Sequence, residues 1–146
     1  MKIYLKTEVE QPLEKVVSGF NDSLFMALSP PFPKVNLLRF DGSKTGDTVS
    51  LELNFVLFKQ KWTSQITEDN DTEDQSYFVD EGTELPFPLK KWRHKHVIES
   101  TENGSIIIDD INFSTNLLLL DVLIYPLLLL QFIYRKPIYR RIFGQN

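Results

Sequence analysis

Residues 117–134 read LLLLDVLIYPLLLLQFIY, and the fold follows from what can cover them. Placed on one helix at about 100° per residue, Asp121, Gln131 and Arg135 fall within about 80° of one another, and most of the remaining circumference is apolar. A surface helix of a globular domain shows a narrower apolar stripe, so the excess calls for a sheet, a bound apolar molecule, a second chain or a membrane. A transmembrane span is disfavoured, because the stretch reaches only about 27 Å, the short limit for crossing a bilayer. Asp121 would cost about 2.5–3.5 kcal/mol at bilayer depth, and Pro126 interrupts the helical hydrogen bonding. The basic residues Arg135, Lys136, Arg140 and Arg141 follow the segment, and the start MKIYLKTEVE has no apolar signal core. No transmembrane span is therefore expected, while contact with a membrane surface and pairing in a homodimer stay open.

On a helix covered by a sheet, the side opposite the polar stripe is expected to face inward. That side carries Val122, Leu123, Pro126, Leu130 and Ile133. Pro126 is expected in the first turn or at a kink, since an interior proline loses a backbone hydrogen bond.

The remainder of the chain supplies such a sheet. Residues 2–9 alternate apolar and polar side chains and read as a half-buried strand. Pro12 opens a short helix with Leu13, Val16, Val17 and Phe20, and Asp22 or Ser23 caps a second, which Ser29-Pro30-Pro31-Phe32-Pro33 ends. From Val35 the period changes to two. Val35 to Phe40 is one strand, and Val49, Leu51, Leu53, Phe55 and Leu57 mark the apolar face of the next. A reversal near Lys59-Gln60 brings Trp62, Ser64 and Ile66 onto the following inner face. The run Glu68 to Asp74 reads as an exposed acidic hairpin loop, after which Tyr77 to Asp80 resumes as a strand. Farther on, Trp92, His94, His96 and Ile98 share one face and Arg93, Lys95, Val97 and Glu99 the other. Asn103-Gly104 signals a type I′ hairpin turn, which pairs Glu102 with Ser105, His96 with Ile111 and His94 with Phe113. The order is strand, two short helices, a run of about six antiparallel strands and a long apolar helix. This is an α+β arrangement in which one curved sheet grips the last helix, a single domain over residues 1–146.

With 146 residues and no cysteine, the chain can build a core without disulfides, and it fits a reducing, cytoplasmic setting. Its net charge of −4 argues against a nucleic-acid partner, because phosphate binding needs a clustered basic face. The histidines are His94 and His96 alone. As a pair on one strand face they suit metal ligation, acid–base chemistry or hydrogen bonding at a cavity wall, and cavity lining is the simplest account. Asp109 is the acidic residue that the expected register puts on their face. No further catalytic constellation, metal site or cofactor motif is present.

Element order and local motifs resemble the START-like superfamily, also described as SRPBCC, Bet v 1-like, or polyketide cyclase/dehydrase and lipid-transport proteins. Bacterial members carry a Gly-Pro-Phe-x-x-Trp-x-His-x-His segment, then Asp-x-Val-x-Tyr in the last strand and an aromatic-Tyr-Arg run in the last helix. The matching stretches are Phe87 to His96, Asp109-Asp110-Ile111-Asn112-Phe113 and Phe132-Ile133-Tyr134-Arg135. Phe87 stands where those members have Gly, and Leu89 where they have Phe.

The resemblance implies a helix-grip fold of six to seven strands with a cavity for an apolar small molecule, lipid-like or polycyclic. The expected lining is Leu53, Phe55, Trp62, Ile66, Trp92, His94, His96, Ile111 and Phe113 from the sheet, with Val122, Leu123, Leu130 and Ile133 from the helix. A cyclase- or hydratase-type enzyme using His94 and His96 as acid and base stands as the alternative, beside a membrane-surface or dimer-forming protein.

Overall fold

The computed structural model describes residues 1–144. Strand β1 (Lys2–Val9) is followed by helices α1 (Leu13–Ser18) and α2 (Asp22–Ala27). Strands β2 (Lys34–Phe40), β3 (Thr48–Asn54), β4 (Lys59–Asp71), β5 (Gln75–Glu84), β6 (Lys91–Thr101) and β7 (Gly104–Ser114) come next, and α3 (Leu118–Ile142) closes the chain. The strands form one sheet in the order β1-β7-β6-β5-β4-β3-β2, every neighbouring pair antiparallel. Sequential strands pair directly, and β1 returns to the edge of β7. This is the helix-grip arrangement, with α1 and α2 at one end of the groove that holds α3.

Two apolar clusters fix α3 on the sheet. Near its middle, Leu128 and Phe132 pack with Ile3, Leu89, Trp92, Ile111 and Phe113. Near its end, Ile138, Tyr139 and Phe143 pack with Val9, Val16, Leu24, Leu28, Ile98 and Ile107. By length and composition α3 could also cross a membrane, with a mean hydropathy of 1.7 over its most apolar window. The two clusters show what covers part of it instead.

The face that α3 presents is the reverse of the one expected. Asp121, Leu128, Phe132, Ile138 and Tyr139 are buried, whereas Val122, Leu123, Leu130 and Ile133 are exposed on the outside. The polar stripe turns toward the protein, where Asp121 is hydrogen-bonded and Gln131 and Arg135 border a cavity. Asp121 accepts hydrogen bonds from the Thr115 amide at 2.6 Å and the Thr115 hydroxyl at 2.7 Å, which tie the β7–α3 link. These bonds hold its carboxyl below the usual range. Gln131 and Arg135 reach a cavity described below. Pro126 lies inside the helix, beyond its first turn.

Four local readings are also corrected. Asn21 caps α2 in place of Asp22 or Ser23, its side-chain oxygen accepting from the Leu24 amide at 2.9 Å. Strand β3 ends at Asn54, and the chain reverses through Phe55-Val56-Leu57-Phe58 before Lys59, with the Phe55 amide donating to the Phe58 carbonyl at 2.9 Å. The acidic run is mostly strand, since β4 continues to Asp71 in register with β5. Its charges stand on the solvent side, where Lys44 pairs with Asp71 at 2.8 Å.

The β6–β7 turn is displaced as well. Thr101 faces Gly104 across Glu102-Asn103, so His94 lies opposite Ile111 and His96 opposite Asp109. The displacement is an even number of residues, which keeps every side chain on its expected face. Packing of β1 supplies the reason. Gly104 sits at φ +155°, and a Cβ there would approach the Val9 carbonyl oxygen to 2.2 Å. Its place is dictated by the neighbouring strand end as much as by the turn.

Candidate functional site

The concave faces of β2 to β6, with α2 and the inner side of α3, enclose a cavity of about 340 Å³. Strand alternation delivers Leu53, Trp62, Ile66, Trp92, His94 and His96 to its wall, and Phe55 borders it from the β3–β4 turn. Ile111 and Phe113 are buried beneath α3 in the Trp92 cluster, and neither borders the cavity. From α3 the wall takes Ile124, Leu127, Leu128, Gln131, Phe132 and Arg135 in place of Val122, Leu123, Leu130 and Ile133. Helix α2 adds Leu24, Phe25 and Leu28. These were missed because a six-residue amphipathic helix does not reveal from its sequence which side of a sheet it closes.

Beyond Trp92, away from the β5–β6 loop, the apolar wall gives way to a buried polar cluster. Asp80 on β5 pairs across the ladder with His94, and Asp109 on β7 pairs with His96. His94 therefore lies between two carboxylates, with Nε2 2.9 Å from Asp109 Oδ1 and Nδ1 3.4 Å from Asp80 Oδ2. Trp92 Nε1 donates to Asp80 Oδ1 at 3.0 Å. His96 Nδ1 is 3.3 Å from Asp109 Oδ1 in a geometry that makes no hydrogen bond. The His96 ring stacks on Phe78 at 4.7 Å between centroids and lies 3.7 Å from the His94 ring. Asp80 was missing from the expected site because the strand read over Tyr77 to Asp80 was given no inward face, and its pairing with His94 is a matter of tertiary register. The alternation of Phe78 and Asp80 against Tyr77 and Val79 is the signal that could have placed it.

Electrostatics divide the two histidines. Burial disfavours the charged form of both. At His94 it is outweighed by hydrogen bonds to Asp109 and Asp80, which raise the pKa above its ordinary value. His96 lacks that support, and burial followed by the nearby His94 charge pushes it down to about 3. Burial would raise both carboxyls, but His94 holds Asp80 below the usual range and Asp109 at about 2. Arg135, on the cavity wall with its guanidinium 4.3 Å from the Phe132 ring centre, adds positive charge near Asp109. The cluster thus sets two carboxylates against His94 and Arg135, with His96 neutral.

Asp80, His94 and His96 also bring donor atoms within 4.8 Å of one another, a spacing that a divalent cation could bridge. Both ring nitrogens of His94 already face carboxylates, so a metal would have to replace that arrangement.

No protein-family profile matches the chain. Serpin A11 of Rattus norvegicus is 30% identical over 80 residues, covering 55% of this chain and 19% of the serpin, too small a share to assign it to that family. Solved structures are similar over much greater lengths. Protein Ms6760 from Mycobacterium smegmatis matches with a TM-score of 0.63 at 14% identity, covering 92% of this chain and 87% of its own. The Zhui aromatase/cyclase from Streptomyces sp. R1128 matches at 0.54 and 18% identity, covering 78% and 68%. Ara h 8.0201 matches at 0.55 and 16% identity, covering 77% and 76%. The likeness drawn from the sequence therefore stands at the level of the fold: this chain has a helix-grip fold, similar to that of these structures.

Proposed function

We propose that this protein binds an apolar small molecule bearing one polar group, with the apolar body along Leu53, Phe55 and Trp62 and the polar group toward His96, Gln131 and Arg135. The observation that carries this reading is the juxtaposition of an aliphatic and aromatic wall with a buried polar cluster at one side of a single cavity. Apolar burial supplies about 25 cal/mol per Å² of binding energy, and the few polar groups set orientation.

Proton-transfer catalysis is the competing reading, prompted by the aromatase/cyclase among the structural neighbours. The electrostatics weigh against it. An effective general base has a pKa near the working pH. His96 at about 3 is too weak a base, and both ring nitrogens of His94 already face carboxylates.

Native mass spectrometry of the purified full chain, before and after organic extraction, tests the proposal. The expected result is a stoichiometric apolar adduct that extraction removes, together with quenching or enhancement of Trp62 and Trp92 fluorescence when an apolar probe such as 1-anilinonaphthalene-8-sulfonate is added. His96→Gln should change probe affinity by a modest factor and leave the fold intact. Absence of both adduct and probe response would overturn the proposal, and tightly bound stoichiometric zinc would point to the Asp80/His94/His96 set as a metal centre.

A further inference from the structure

The end of the molecule that carries the cavity mouth is apolar to an extent that neither folding nor ligand binding requires. The β3–β4 turn has Val56 and Leu57 at its tip, 83% and 92% exposed. Tight turns favour Gly, Asn or Asp, and Val56 adopts φ +76°, a conformation that a β-branched side chain rarely takes. An exposed apolar pair held in a strained turn points to a use outside the fold.

Other elements converge on the same end. Phe32, from the α2–β2 loop, meets Phe55 edge-on at 6.0 Å, and Phe55 stacks on Phe58 at 5.0 Å. Phe87, from the β5–β6 loop, is 76% exposed, and it borders the cavity mouth together with Phe55 and Leu127 of α3. The outer side of the first half of α3 adds the exposed Leu118, Leu119 and Leu123.

Charge identifies what covers this patch. In a chain of net charge −4, Lys34, Lys59, Lys61, Lys90 and Lys91 stand at or beside the ends of β2, β4 and β6 on the same edge of the sheet as this turn. Lys59 and Lys61 are 3.7 and 3.8 Å from Glu52 and Glu84, while Lys34, Lys90 and Lys91 make no ion pair among the described residues. A second copy docked through the same face would set lysine against lysine. A bilayer with anionic headgroups accepts both parts, taking the Val56, Leu57 and Phe87 side chains between its lipids and the ammonium groups at its surface. We propose that the mouth end of the grip is a docking surface for anionic membranes, with the β3–β4 turn as its inserting tip. The cavity then opens directly onto the bilayer, although docking itself does not depend on what the cavity holds.

Cosedimentation of the full chain with vesicles of equimolar phosphatidylcholine and phosphatidylserine, against phosphatidylcholine alone, tests this. The chain should bind the mixed vesicles, with affinity falling as salt is raised, and should bind the neutral ones weakly. Leu57→Asp and Phe87→Asp alter exposed positions, so thermal melts should match the unchanged protein while vesicle affinity drops about tenfold or more for each. Lys90→Glu with Lys91→Glu should remove most of the preference for phosphatidylserine. Failure to bind either vesicle overturns the proposal, as does binding that both Asp variants leave intact. So does a soluble dimer that the same substitutions dissociate, because the occupant would then be a second copy. The adduct and probe experiments on the cavity are read without vesicles, so either proposal can fail alone.

Discussion

His94 Nε2 and Asp109 Oδ1 lie 2.9 Å apart across β6 and β7, both side chains buried beneath α3. Asp109 also faces His96, and Asp80 holds the other nitrogen of His94. The charged form of His94 is favoured by these two carboxylates, whose burial is itself costly without a partner.

Asp109→Asn keeps the shape and removes one of these charges. Breaking a buried ion pair from one side typically costs about 3–5 kcal/mol, so urea unfolding should show a loss of that order. The His94 imidazole should titrate at a lower pH than in the unchanged protein, measurable by NMR of its ring protons.

Stability should peak near pH 6.5. Below about that value the unfolded chain protonates both histidines, whereas the folded chain keeps His96 neutral down to about 3. Stability therefore falls as the pH drops through this window, with a slope of up to about 1.4 kcal/mol per pH unit. Above pH 6.5 the unfolded chain has released both protons while folded His94, its pKa raised, still holds one. That contribution is lost as the pH climbs through the folded His94 pKa. Asp80 and Asp109, both depressed, add to the acid loss only below about pH 4. In His96→Gln the limb between about pH 6 and 4 should flatten, and denaturant titrations across pH would reveal a steep limb if His96 were not its source.

The orientation of α3 can be read from a pair of truncations. Phe132 is 4% exposed and packs on Trp92 and His94, whereas Leu130 on the same helix is 63% exposed. Phe132→Ala should cost about 3–5 kcal/mol. Leu130→Ala should stay within about 0.5 kcal/mol. Equal losses in thermal or urea unfolding would mean that both faces are buried.

Gly104→Ala places a methyl group against the Val9 carbonyl oxygen at a φ that disfavours any side chain. A loss of about 2 kcal/mol or more is expected, since backbone at both positions would have to move. Hydrogen exchange should localise the added opening to the β6–β7 turn and the end of β1. Near-neutral behaviour would show that the two backbones part easily.

The alternation in β3, β4 and β6 made the sheet legible and set Trp62, Trp92, His94 and His96 on its inner face, because a strand's period of two leaves only two choices for each side chain. The same sequence placed a long apolar helix last, and the order of elements was enough to expect a sheet gripping it. It did not contain the orientation of that helix. A circumference apolar nearly all round has no unique inward side, and the polar stripe became the buried one only because Thr115 was there to donate to Asp121 and the cavity to receive Gln131 and Arg135. The ion cluster likewise needed three dimensions. Asp80 and Asp109 are far from each other in the chain, and they meet around His94 only through the β5–β6 and β6–β7 registers, the second of which β1 helps to fix at Gly104. Local periodicity determines which face a residue is on. Which other residues share that face, and what they do to its charge, depends on pairings between distant strands that no local pattern encodes.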